Sequence, residues 1–163
     1  MADPLREQLS KMLDQYDARR RADAARERKM KEDDALFLTR FVELSRTVIR
    51  PLFEMAGALL AERGHGFTIS EQEFAVGEGS KVTEAGISFS IVPSGMESPM
   101  YADRARSLSL TTRHYNKTVW INAGRSLDPG GVAGSKGAYP LERIDRSLVE
   151  EELVKFVAAV MAG

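Results

Sequence analysis

The stretch "GHGFTISEQEF", residues 64–74, is where the chain changes its period. Before it, apolar residues recur every three or four positions; after it they begin to alternate. Gly64 suits a left-handed cap at a helix C-terminus, so the helical part ends there. A chain that is helical up to this point and sheet-like beyond it reads as α+β.

Working back from Gly64, no glycine occurs between Met1 and Gly57, and Pro4 and Pro51 are the only prolines. Asp3 before Pro4 reads as an N-cap followed by proline at the first helical position, where its missing N–H costs nothing. Leu5, Leu9, Met12 and Tyr16 follow at spacings of 4, 3 and 4, with Leu13 beside them, which makes one apolar stripe. Arg19 and Asp23 occupy its next positions, so the stripe stops. It resumes at Phe37, with Phe41, Leu44 and Val48 on one line and Leu38, Val42, Ile49 and Leu52 on the next, a width that faces a core. Pro51 predicts a kink or break near Arg50, after which Met55, Leu59 and Leu60 carry the apolar face onward.

Working forward, "FTISEQEF" (67–74) is an impure strand: Phe67 and Ile69 point one way, Phe74 and Val76 the other, so a bulge or an early end is expected. "GISFSIV" (86–92) alternates cleanly, with Ile87, Phe89 and Ile91 inward. "RSLSLTTRHY" (106–115) and "TVWINA" (118–123) flank Asn116-Lys117 and read as a hairpin with a two-residue turn. The segment "AGRSLDPGGVAGSKGAYP" reads as a glycine-spaced loop. A last helix then begins with Asp145 or Ser147 as cap and buries Val149, Leu153, Phe156 and Val160. The expected fold is a long kinked N-terminal helix, an antiparallel sheet of about four strands in meander order, and a C-terminal helix packed on one sheet face.

With 163 residues, 43% hydrophobic and 29% charged, the chain has room for one domain and an extension, here divided as a charged arm (1–34) and a globular domain (35–163). The net charge of −1 gives no global attraction to nucleic acid or anionic lipid. The absence of cysteine excludes disulfides, thiolate catalysis and Cys-based metal sites. "MADPLREQ" lacks a signal-peptide profile and "MAGALLA" (55–61) is too short to span a bilayer, so the expected location is cytoplasmic, with no membrane partner.

The arm's charges balance, nine basic against nine acidic over residues 1–34. They interleave at i,i+4: Glu7 with Lys11, Asp17 with Arg21, Glu27 with Lys31, and in reverse order Arg19 with Asp23, Arg28 with Glu32, Lys29 with Asp33. Such pairs favour helix over disorder. A helix from Pro4 to Arg50 would run roughly 70 Å at 1.5 Å per residue, against a domain roughly 35–40 Å across by the usual size scaling. Part of it is expected to stand in solvent with Leu5, Leu9, Met12, Leu13 and Tyr16 uncovered, and a partner or a second copy is expected to cover them, by coiled-coil pairing or as an adaptor contact.

Other constellations are weaker. Arg19, Arg20 and Arg21 could contact phosphate, but successive arginines fan out by about 100° on a helix and have acids as neighbours. "GGVAGSKG" (130–137) fails as a P-loop, because Ser135 stands where glycine is required and Gly137 where a hydroxyl is required. Its Gly131-Val132-Ala133-Gly134 is a chance-level GxxG in a surface loop that could act as a lid or docking element. Arg113 opposite Trp120, with Tyr115 nearby, makes a cation–π pair and a candidate ligand platform. His114 reads as a rim residue bonded to backbone, and His65 as a solvated turn residue. Ser80 in "GEGSKV" lacks a nucleophile elbow and a base. No catalytic, cofactor or metal residues are assigned. The expectation is a non-enzymatic interaction or assembly protein; its rivals are nucleic-acid binding through the arm's arginines and the sheet face, and a small-ligand module or enzyme between sheet and Gly-rich loop.

Overall fold

The computed structural model describes residues 3–95, 106–125 and 135–162. The chain divides into two compact units, Met1–Leu36 and Phe37–Gly163.

The first unit is helical from Pro4 onward, as the first part of helix α1 (Pro4–Leu44). Asp3 caps it: its carboxylate accepts the Leu5 N–H at 3.1 Å and its carbonyl accepts the Glu7 N–H at 3.0 Å. That satisfies donors which a helix start leaves without partners. All described residues of this unit are exposed except Asp34, which is half-buried. None of the six i,i+4 pairs closes among the described residues, while Asp23 pairs with Arg26 at i,i+3. Long exposed side chains gain too little from such contacts to hold one geometry.

In the second unit the end of α1 buries Phe37 and Phe41. The helical path then widens into one π turn, Ser45–Ile49, where the Arg50 N–H reaches back to the Ser45 carbonyl. Pro51 explains the irregularity, since its ring crowds the carbonyl four residues earlier and it has no N–H to donate. The expected kink is thus a π turn just ahead of the proline, and the helix continues as α2 (Arg50–Glu62). Gly64 closes α2 at φ +85, with Gly64 and His65 N–H groups bonded to the Ala61 and Leu60 carbonyls, the Schellman arrangement.

The sheet is antiparallel and five-stranded in the order β1-β4-β5-β6-β7, a meander interrupted by a small ribbon. Its strands are β1 (Gly66–Gln72), β4 (Gly86–Val92), β5 (Arg106–Arg113), β6 (Thr118–Arg125) and β7 (Ser135–Pro140). The expected early end of the first strand falls at Gln72, and the chain then makes β2 (Ala75–Val76) and β3 (Val82–Thr83) around a turn in which Gly79 takes φ +68. Inward residues of the central strands, among them Ile87, Phe89, Ile91, Leu108, Leu110, Val119 and Ile121, are buried. Helix α3 (Arg146–Met161) covers them, its Phe156 ring standing 6.3 Å from Phe89. Its buried residues include the expected Val149, Leu153, Phe156 and Val160. Asp145, rather than Ser147, is its cap, accepting the Leu148 N–H at 2.8 Å. The opposite face of the sheet carries small hydroxyl side chains in register, Ser88 across from Ser109 and Ser90 across from Ser107.

Two features depart from the sequence reading. The first is β7, which occupies part of the expected loop. It pairs with β6 through a bulge at Ile121/Asn122, and Gly137 takes φ +116 there. A proline at the strand's end and a glycine at its bulge are tolerated at a sheet edge, but they erase the alternating pattern by which a strand is recognised. The second is the β5–β6 hairpin, where Arg113 pairs with Thr118 and Thr111 with Trp120. The turn therefore spans His114 to Lys117 instead of two residues, with Lys117 in the left-handed region at φ 55.

Candidate functional site

The arm presents its apolar stripe to solvent. Leu5, Leu9, Met12, Leu13 and Tyr16 are between 47% and 62% exposed. Helical spacing places them on one side, and nothing in their own unit folds back over them. Arg19, Arg20 and Arg21 are likewise exposed, but the helix distributes them around its circumference among Asp17, Asp23 and the other acids. They do not make a single phosphate-facing strip.

The three platform residues do meet. Arg113 lies over the Trp120 ring at 3.3 Å from its centroid and donates to the Tyr115 hydroxyl at 3.3 Å. The shifted register changes how this happens, because Arg113 sits diagonally from Trp120, within reach of a long side chain, not directly across. Tyr115 leaves the strand altogether and stands exposed in the turn. The guanidinium covers one face of the indole.

Sequence reasoning missed the environment of both histidines. His114 Nδ1 is 2.8 Å from Glu84 Oε2, and the His114 N–H donates to Glu84 Oε1 at 3.2 Å. Thr112 adds its hydroxyl to the same carboxylate at 3.1 Å, and Phe74 sets its ring edgewise against the imidazole at 5.0 Å. The imidazole is thus held by a carboxylate, where a backbone partner was expected. The signal available was the alternation of Thr112 and His114 on one strand face; Glu84 comes from thirty positions earlier, where no local rule points to it. His65 is tied down as well, its Nδ1 accepting the Ser94 N–H at 2.9 Å, so it is a structural acceptor and not a free turn residue.

Among the described residues of the second unit, two grooves stand out. One, about 1030 Å³, runs past Leu38, Phe41, Arg46, Arg50, Glu71 and Phe74. Arg50 donates to Glu54 at 2.9 Å and reaches Glu71 at 3.2 Å. Its hydrogen bonds to the Glu54 and then the Glu71 carboxylate hold the guanidinium above its ordinary pKa, and the Glu71 contact ties α2 to β1. The other groove, about 800 Å³, lies between α2 and α3 and is predominantly apolar, with Met55, Leu59, Val154 and Met161 among its lining residues. Those four are 42% to 68% exposed.

Among the described residues no three of His, Cys, Asp or Glu cluster as metal ligands, and no helix is long and apolar enough to cross a membrane. The GxxG at 131–134 and most of the Gly-rich loop fall outside the described residues. No family model, curated protein or solved structure matches this chain.

Proposed function

We propose that the chain is a non-enzymatic interaction or assembly subunit, its N-terminal arm pairing with another copy or docking on a larger partner. The supporting observation is the exposure of Leu5, Leu9, Met12, Leu13 and Tyr16 together on one stripe. Scattered exposed leucines are ordinary; a contiguous row of large apolar side chains is normally covered. Helix-borne anchors at i, i+4, i+7 and i+11 suit either a paired helix or a groove. The location consistent with this reading is cytoplasmic.

Deleting residues 1–16 tests it. Loss of oligomer mass by light scattering, or loss of captured partners, with an unchanged melting profile is the expected result; unchanged mass together with unchanged partners refutes the reading. Nucleic-acid binding, the rival, would instead give salt-sensitive retention on DNA or RNA that disappears when Arg19, Arg20 and Arg21 are neutralised.

A further inference from the structure

We infer that the receptor for the arm is the groove between α2 and α3 of a second copy of this chain. The inference rests on the self-association reading above and names the surface that completes it.

Both walls of the groove are helix faces with the same periodicity. On α2 the lining includes Leu52, Met55, Ala56, Leu59 and Leu60; on α3 it includes Leu153, Val154, Val157, Ala158 and Met161. Each set advances by threes and fours, the pattern of a helix side that packs on helices. Two parallel or antiparallel stripes with a gap between them present the seat for a third helix, and the arm stripe from Leu5 to Tyr16 has the same advance.

The lengths agree as well. The lined part of α2 runs from Leu52 to Arg63 and that of α3 from Glu150 to Met161. At 1.5 Å per residue each wall is roughly 16 Å long, and so is the arm stripe from Leu5 to Tyr16. A shorter or polar occupant would leave part of the exposed Met55, Leu59, Val154 and Met161 surface wet.

Charge favours the same match. The groove's ionised lining is Glu62 and Glu150 against Arg63. Beside the arm stripe and its continuation, at helical angles within about 100° of its centre, stand Arg6, Arg19 and Arg20 with Asp17 and Asp23. A mildly acidic groove thus meets a mildly basic helix, which sets orientation more than affinity. Each copy offers one arm and one groove, so the contact joins unlike surfaces and either closes reciprocally in a dimer or continues from copy to copy.

The test uses two full-length variants and their mixture. The arm variant carries Leu9→Glu and Met12→Glu; the groove variant carries Leu59→Glu and Val154→Glu, all at exposed positions. Circular dichroism and melting verify that both remain folded. The expected result is that wild-type protein self-associates, that each variant alone loses association at least tenfold in sedimentation or light scattering, and that mixing them restores a 1:1 complex through the intact groove of one and the intact arm of the other. A groove variant that keeps the wild-type mass while the arm variant loses it overturns the groove assignment and leaves the arm reading standing, because the arm would then pair with another arm. A monomeric wild type also overturns it, and the arm reading then survives only if deletion of residues 1–16 removes captured partners. Mass and partners unaffected by every variant overturn both.

Discussion

Leu5, Leu9, Met12 and Tyr16 stand at the same 4-3-4 spacing as Phe37, Phe41, Leu44 and Val48, farther along the same helix. Phe37 and Phe41 are 6% and 2% exposed, and Leu44 and Val48 pack half-buried beside them, whereas the four arm residues are 47% to 62% exposed. Identical periodicity therefore has two outcomes within one chain. Spacing determines which side of a helix is apolar; whether that side is covered depends on what the remainder of the chain, or another chain, brings to it. In the second unit the sheet and α3 provide the cover. In the first, no element of its own does.

The comparison breaks most sharply under truncation. Phe41→Ala is expected to cost about 3–5 kcal/mol, seen as a lowered urea midpoint, because it empties a filled core site. Leu9→Ala should move that midpoint by no more than about 0.5 kcal/mol, as exposed substitutions do, while weakening self-association. Equal shifts from the two would end the distinction. Next in size is Glu84→Ala, expected to cost about 1–3 kcal/mol by leaving the His114 N–H and imidazole without their carboxylate partner, while the Thr112 hydroxyl keeps its bond to the Ala85 carbonyl. Glu84→Gln, which keeps an acceptor oxygen, should recover part of that in the same melt.

Helix caps sharpen the contrast, because the same residue type performs the same task in both units. Asp145→Ala should lower global stability by about 1 kcal/mol, since α3 is locked into the core. Asp3→Ala should reduce helical ellipticity of the arm with no change in the unfolding midpoint. The smallest effects belong to exposed ion pairs: Arg26→Gln and Arg146→Gln should each change stability by less than about 0.5 kcal/mol. Lys155, hydrogen-bonded to Glu151, titrates above its ordinary value. Any stability it adds is complete below the unfolded lysine pKa and is lost as pH rises through the folded one, so Lys155→Met should lower melting slightly at neutral pH and lose that effect as pH rises through this alkaline window.

What was legible in the residues was whatever local chemistry decides. Asp3-Pro4 and Gly64 announced the two ends of the helical path, Ile87, Phe89 and Ile91 announced a half-buried strand, and Val149 through Val160 announced the inner face of α3. Features that depend on a distant partner were not legible. β7 exists because β6 offers it an edge, and neither Gly137 nor Pro140 advertises a strand. The hairpin register followed from Lys117 accepting a left-handed conformation, a choice that Asn116-Lys117 does not dictate. Glu84 became the partner of His114 only through the pairing of β4 with β5. The candidate receptor groove was invisible for the same reason: Leu59 read as part of a continuing apolar face and Val154 lay outside the stripe assigned to α3, and only two helices set side by side bring them together.

The π turn at Ser45–Ile49 carries one more consequence. Counted as a regular helix, Phe53 would sit roughly 120° around from Phe41, yet both rings are buried in one core. The wider turn absorbs about one residue's worth of rotation, which brings the offset down to roughly 20°. It acts as a phase correction, putting two aromatic rings in step although the number of residues between them is one too many. Deleting a single residue from 45–49 should restore a regular helix and keep the two rings roughly 20° apart, whereas inserting one there would turn Phe41 about 100° further out of step with Phe53 and leave one of the two rings facing water.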